Sequence, residues 1–336
     1  MFPLFKVLKP GLLTTVQDPG RLGNRHFGVP VSGGVDGWAL KAANVLVGNN
    51  PACACLETTL SGPTIQFLCD CAAAITGADM QPELSGTPVP LWESFYCRSG
   101  EILRFGYKKT GCRSYIAFSG GIEVPVVLGS RSTFLTAGFG GFQGRRLEAE
   151  DILNTSVVDT GRDNIGLRYP EYVRPVYSPE IKVRTLMGID RDCFSQKDYA
   201  RFHSETFTVT NRLNRTGCSL AGPMISTESP AVAESFPVAP GSIQITPAGN
   251  PIVLLHDAQS TGGYPQIAVV ITADLGQLGQ AVPGDKIIFE ETDGKTAQKL
   301  LTSRTEELYC LEMASEFKAY RMTTKHEYEI VISKNK

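Results

Sequence analysis

Glycine and proline constrain this chain's fold more than any other feature. Its 336 residues include 34 glycines and 21 prolines, which with Asn and Asp cut the apolar sequence into short runs. The runs Ile102 to Tyr107, Ser114 to Gly120, Thr206 to Asn211, Ser242 to Thr246 and Ile252 to His256 are each bounded by turn residues. Runs of this kind read as strands and are too short for ordinary helices. Helical periodicity is confined to a segment opened by Asp36, to Ser195–Phe202 and to Thr296–Tyr309. The expectation is a mainly β protein of barrels or sandwiches with a few short helices.

At this length and with 42% hydrophobic residues, the chain can fill two ordinary cores. Two internal echoes support a pair of related domains. VQDPGRLG (Val16–Gly23) before a helix is matched by LHDAQSTGG (Leu255–Gly263) before an expected helical stretch, Ile267–Leu278. SGEILRFG (Ser99–Gly106) is matched by PGDKIIFE (Pro283–Glu290). Domains of 1–165 and 166–336 follow, with a soft boundary in the polar, proline-rich stretch Asp159–Pro179. Because the Asp loop comes early in one half and late in the other, interleaved segments are expected.

Composition excludes several classes. A net charge of −2 without a Lys/Arg run argues against nucleic acid. No apolar stretch approaches the roughly 18 to 20 residues that span a bilayer. The N-terminal MFPLFKVLKPG lacks a secretory pattern, so a cytoplasmic protein is expected. The nine cysteines are odd in number and scattered, as in a reducing compartment. Cys53/Cys55 and Cys69/Cys71 are spaced more tightly than usual zinc ligands, and strand neighbours explain them more simply than a metal.

The chemistry gathers in loops. Between a strand at Leu12–Val16 and the Asp36 helix lie Asp18, Arg21, His26 and Ser32 among tight-turn residues. Asp36 is placed to cap the helix, whose N-terminus beside Ser32-Gly33-Gly34 favours an anion; pure capping and a catalytic role both remain open. Glu57 is a further carboxylate candidate. Around Arg131 the glycines at 138, 140, 141 and 144 suit either a phosphate cradle or an ordinary loop. Asn214-Arg215 and the run Asp257, Gln259, Thr261, Tyr264 offer polar groups for a small ligand, or a satisfied polar turn. No GxSxG elbow, Walker or Rossmann pattern occurs. Carboxylates with arginine partners therefore point to proton transfer and charge stabilisation at a carbonyl or phosphoryl centre. Asp18, Arg21, Asp36 and Asp257 are the catalytic candidates. His26, Ser32, Glu57, Arg131, Asn214, Arg215, Gln259, Thr261 and Tyr264 are the candidates for substrate or nucleotide binding.

Taken in order, the blocks TTVQDPGRLGNRHFGVPVSGGVDGWALKAANVLVGN, LETTLSGPTIQF, ITGAD, GGIEVPVVLGSRST, NRTGCSLAGP and PIVLLHDAQSTGGYPQIAVVITADLGQLGQAVPGD resemble the biotin-dependent carboxyltransferase-like proteins. That family is also called allophanate hydrolase subunit 2 or KipI antagonist and includes 5-oxoprolinase C subunits. The resemblance implies two cyclophilin-like β-barrel domains and an ATP-dependent opening of 5-oxoproline to L-glutamate. It implies 5-oxoprolinase B (KipI-like) and A subunits as partners, ATP with Mg2+ shared among them, and no covalently attached biotin. A urea-carboxylase-like carboxyltransferase and a KipI-antagonist type of regulatory binding protein are the alternatives. The chain departs from the resembling blocks at Ser219, at His256 and Ala258 (ADRQTTGGYP elsewhere), and in AESFPV, Ala233–Val238.

Overall fold

The computed structural model of the protein describes residues 1–158, 160–227 and 235–334. Asp159, where the expected linker begins, and Ala233-Glu234 of the AESFPV stretch lie outside the described residues.

Short strands dominate, as the turn residues require, and they form two units. In the first, two antiparallel sheets face each other. One takes the order Ile152–Thr155, Phe2–Lys9, Thr64–Phe67, Ile102–Arg104, Glu83–Leu84, Thr87–Pro88; the other, Leu13–Gln17, Cys55–Thr59, Thr110–Phe118, Cys71–Asp79, Ser94–Cys97. Phe5, Phe67, Ile75, Ile116 and Phe118 fill the space between them. Strand alternation turns the neighbours Ala72, Ala74, Tyr115 and Ala117 to the outer face, where helix α1 (Gly37–Leu46) lies. Three alanines there let the helix approach closely. As its sequence suggests, α1 starts from Asp36, whose side chain accepts the Ala39 amide at 3.1 Å.

In the second unit the sheet closes. Strands Glu180–Met187, Gln266–Val270, Ser242–Ile245, Pro251–Leu254, Gly217–Ala221, Thr206–Leu213 and Lys286–Glu291 make a barrel. It is antiparallel except where Glu180–Met187 runs parallel to Lys286–Glu291 and completes the ring. A closed ring leaves no unpaired edge, whereas the first unit remains two sheets. Helix α2 (Gln196–Ser204), capped by Ser195, lays Phe202 on Phe289 of the barrel with ring centroids 4.6 Å apart.

Two helical expectations need correction. Ile267–Leu278 is not one helix: Ile267 to Val270 is barrel strand, and only Leu275–Gly279 (α3) is α-helical. The run Ile-Ala-Val-Val-Ile is rich in β-branched residues, and that preference prevails. The helix beginning near Thr296 is far longer than expected and runs over Gly294–Lys334 (α4). It leaves the barrel and returns to the first unit, where Leu311 joins the core around α1 and Ser315 Oγ donates to Asn164 at 3.1 Å.

Phe289 and Phe202 are fully buried. Phe289→Ala is expected to lower stability by about 3 to 5 kcal/mol, read as a fall in the urea midpoint; an unchanged midpoint would show that the stack contributes nothing.

Candidate active site

The two units meet around one guanidinium. A tight turn, in which Asn214 Oδ1 accepts the Thr216 and Gly217 amides at 2.7 and 3.1 Å, projects Arg215 out of the barrel. The Asp257 amide donates to the Arg215 carbonyl at 2.9 Å, which sets the second barrel loop beside the first. Arg215 Nε then donates to Asp257 Oδ2 at 2.8 Å and Nη2 to Oδ1 at 3.1 Å. Across the junction Nη1 donates to Glu57 Oε1 and Nη2 to the Gly33 carbonyl, the latter at 2.6 Å. Gly33 has φ +83°, and a Cβ there would lie 2.8 Å from the Gly20 amide nitrogen, so glycine is required.

Register explains why Glu57 meets this charge. Glu57 pairs with Tyr115 on one side and Thr15 on the other, so its side chain leaves the sheet on the face that carries α1. Its Oε2 accepts the Tyr115 hydroxyl at 2.8 Å and the Val35 amide at 2.9 Å, and Arg113 Nε stands 3.8 Å from Oε1. Burial alone would raise the Glu57 carboxyl; Arg215, Arg113 and the two hydrogen bonds reverse this and hold it below the usual range. Desolvation works against the Arg215 charge, but Glu57 and Asp257 overcome it and raise its pKa.

Asp18 organises a neighbouring loop. Its Oδ1 accepts the Gly20 amide at 2.8 Å, the Ser130 hydroxyl at 2.6 Å and the Ser132 hydroxyl. Its Oδ2 accepts the Arg131 amide. The Ser132 carbonyl in turn accepts from Arg21 Nη2. Arg21 is fully buried, 4.9 Å above the Phe139 ring, and its Nε and Nη1 have no protein partner. Burial lowers its pKa, while the Asp18 and Asp257 charges oppose that and Arg215 reinforces it. The glycine loop considered as a phosphate cradle closes over this group: a Cβ at Gly140 would lie 2.7 Å from Arg21 Nη2. Ser32 Oγ is also buried without a partner.

The structure thus gathers Asp18, Arg21, Ser32, Asp36, Glu57, Arg215 and Asp257. The carboxylates of Asp18, Asp36 and Asp257 are all engaged, Asp36 by the Ala39 amide, Gln280 Nε2 and the Tyr177 hydroxyl. They hold loops and arginines in place. The other candidates lie apart. His26 is exposed and lies against the Phe27 ring at a tilt. The Arg131 guanidinium turns to Glu123 at 2.9 Å. Asn214 is exposed and occupied with its own turn, and Gln259, Thr261 and Tyr264 are exposed. Arg113, Tyr115 and Gln280 were not anticipated, because a central strand and a helix end carry no loop signal. Among the described residues no three His, Cys, Asp or Glu side chains are grouped to hold a metal ion.

Beside this network lies a half-open cavity of about 220 Å³ between α1, α3 and α4, with Asp36, Trp38, Lys41, Tyr177, His256 and Arg304 among its lining residues. His256 precedes Asp257 and joins cavity to network. Burial, reinforced by the Arg215 charge, pushes its imidazole down to about 4 from the ordinary 6.5. Below pH 6.5 the unfolded chain takes up a proton that the folded chain refuses until about pH 4. Stability is therefore expected to fall with pH through that window, by up to about 3 kcal/mol. Urea midpoints measured at pH 7 and pH 5 should differ less in His256→Gln than in the parent; equal pH dependence would contradict the assignment.

Against known proteins, the family model described as "Carboxyltransferase domain, subdomain A and B" matches residues 27–291. The chain is 37% identical over 295 residues to the C subunit of 5-oxoprolinase from Haemophilus influenzae, covering 88% of this chain and 93% of that protein. It is 35% identical over 296 residues to the C subunit of 5-oxoprolinase from Escherichia coli K12, covering 88% and 94%. The crystal structure of the K. lactis urea amidolyase superposes with a TM-score of 0.88 at 31% identity, over 93% of this chain and 20% of that one. With the match running from Phe27 through the last barrel strand, the chain belongs to the carboxyltransferase domain family of subdomains A and B.

Proposed function

We propose that the chain is the C subunit of an ATP-dependent 5-oxoprolinase, a lactam hydrolase that forms L-glutamate from 5-oxoproline together with B and A subunits. The observation that carries this reading is likeness along nearly the whole length of two bacterial proteins of that name. An unstrained lactam resists water, so its opening calls for an activated amide oxygen and fixed groups that stabilise the negative charge gathering there. Arg21 suits that role: two of its guanidinium nitrogens are buried and unpartnered, and Phe139, Ser132 and Gly140 fix its position. Ser32 Oγ supplies a neutral donor. Asp18 positions the Ser130–Ser132 loop and so Arg21; Asp257 and Glu57 position Arg215.

ATP supplies the driving force in the assembled enzyme. Its Mg2+ is shared with the partner subunits. The enzyme works in the cytoplasm, in keeping with nine unpaired thiols. No described helix is long and apolar enough to cross a membrane. The urea amidolyase likeness favours a second reading, carboxyl transfer from a carboxybiotin carrier to a small acceptor.

Reconstitution with candidate B and A subunits should give ATP-dependent glutamate release from 5-oxoproline. Arg21→Met should lower kcat by about 10²- to 10³-fold in a chain that still folds. Glutamate-free assemblies of folded subunits would contradict the hydrolase reading, and avidin-sensitive turnover would favour the second one.

A further inference from the structure

The cavity under α4 has an uneven set of polar groups. Its one wall carboxylate, Asp36, is saturated by Ala39, Gln280 and Tyr177 and has little left to offer a cation. Three of the remaining polar side chains, Lys41, Arg304 and Trp38, can only donate. Lys41 and Arg304 bring positive charge, although Arg304 shares its own with Glu307 at 3.1 Å. Trp38 has its indole N–H buried without a partner, and so is Nδ1 of His256. The N-terminus of α1, ten residues long, adds a partial positive charge at the same wall. Between these groups the wall is apolar, formed by Val35, Leu275, Leu301 and Leu308. At about 220 Å³ the space is smaller than the ~300 Å³ lower limit of typical drug-sized sites, which selects a small metabolite over a nucleotide.

His256 lines the same wall with an imidazole whose Nδ1 has no partner. A neutral imidazole offers one N–H and one lone pair, so it can meet an amide from either side.

We propose that this cavity binds a small carboxylic acid with a compact body, its carboxylate held by Lys41 and the Trp38 indole N–H, and that His256 reads the molecule's second polar group as a specificity-determining residue. Only the choice of 5-oxoproline as first probe rests on the 5-oxoprolinase reading.

Calorimetric titration of the full chain, alone and saturated with its partner subunits, tests this with three probes. They are 5-oxoproline, 2-pyrrolidinone, which has the same ring without the carboxylate, and cyclopentanecarboxylate, which has the carboxylate without the lactam. Both acids are expected to bind, and 2-pyrrolidinone to bind at least about tenfold more weakly than 5-oxoproline. Lys41→Met and Trp38→Phe should weaken both acids about tenfold or more. His256→Ala should weaken 5-oxoproline and leave cyclopentanecarboxylate unchanged. Equal binding of 2-pyrrolidinone and 5-oxoproline, wild-type binding in Lys41→Met and Trp38→Phe, or no binding of any probe would overturn the assignment. If the assembled enzyme releases glutamate with a KM that these variants leave unmoved, the pocket assignment fails while the proposed function stands. If cyclopentanecarboxylate binds with the expected variant pattern but no glutamate is released, the pocket stands and the lactam reading fails.

Discussion

The arrangement of the two units depends on Arg215, a cation carried by one unit and neutralised by both. Its partner in the barrel is Asp257 and its partner in the sheet unit is Glu57, with the Gly33 carbonyl as a further acceptor. Removing such a charge from water is costly, and attraction offsets the cost only where geometry is good and the remaining hydrogen bonds are made. Both conditions hold here. The guanidinium makes paired contacts with Asp257, and Glu57 accepts from Tyr115 and Val35 as well. The junction is therefore specific in relative placement as well as adhesive, and the loops seated on it inherit that precision.

Helices complete what the charges begin. Asp36 ends the polar loop and starts α1, and through Gln280 it reaches the far unit. Gln280 Oε1 also accepts the Cys112 and Arg113 amides, each at 2.9 Å, which ties a central strand of the first unit to the end of α3. Helix α4 then crosses back from the barrel and lines the cavity beside His256. The buried network fixes Arg21 in place, and the half-open cavity beside the network has room for a small ligand.

Much of this was legible in the sequence, for identifiable reasons. The Asp36 cap and its helix follow from local preference. Asp18, Arg215 and Asp257 stand out because they interrupt strands with charge, and glycines beside them signal close backbone approach. Tyr115 and Arg113 escaped notice because a strand residue's partner depends on register, which no local pattern reveals. The place of His256 comes only from the fold, which sets it against a cavity. The length of α4 follows from a stretch, Lys295 to Lys336, with neither glycine nor proline to stop a helix. His26, Gln259 and Thr261 lie exposed and apart from the buried network, a placement that residue type alone does not reveal.

The central claim, that Arg215 and Glu57 couple the two units, is tested most directly by a double-mutant cycle for unfolding with Glu57→Gln, Arg215→Met and the pair. A coupling energy of about 2 kcal/mol or more is predicted, because Arg215→Met strands Glu57 as a buried carboxylate and Glu57→Gln removes that penalty, while the loss of the Arg215–Asp257 pair is common to the single and double Arg215 variants and cancels. Additivity within about 0.5 kcal/mol would contradict the account.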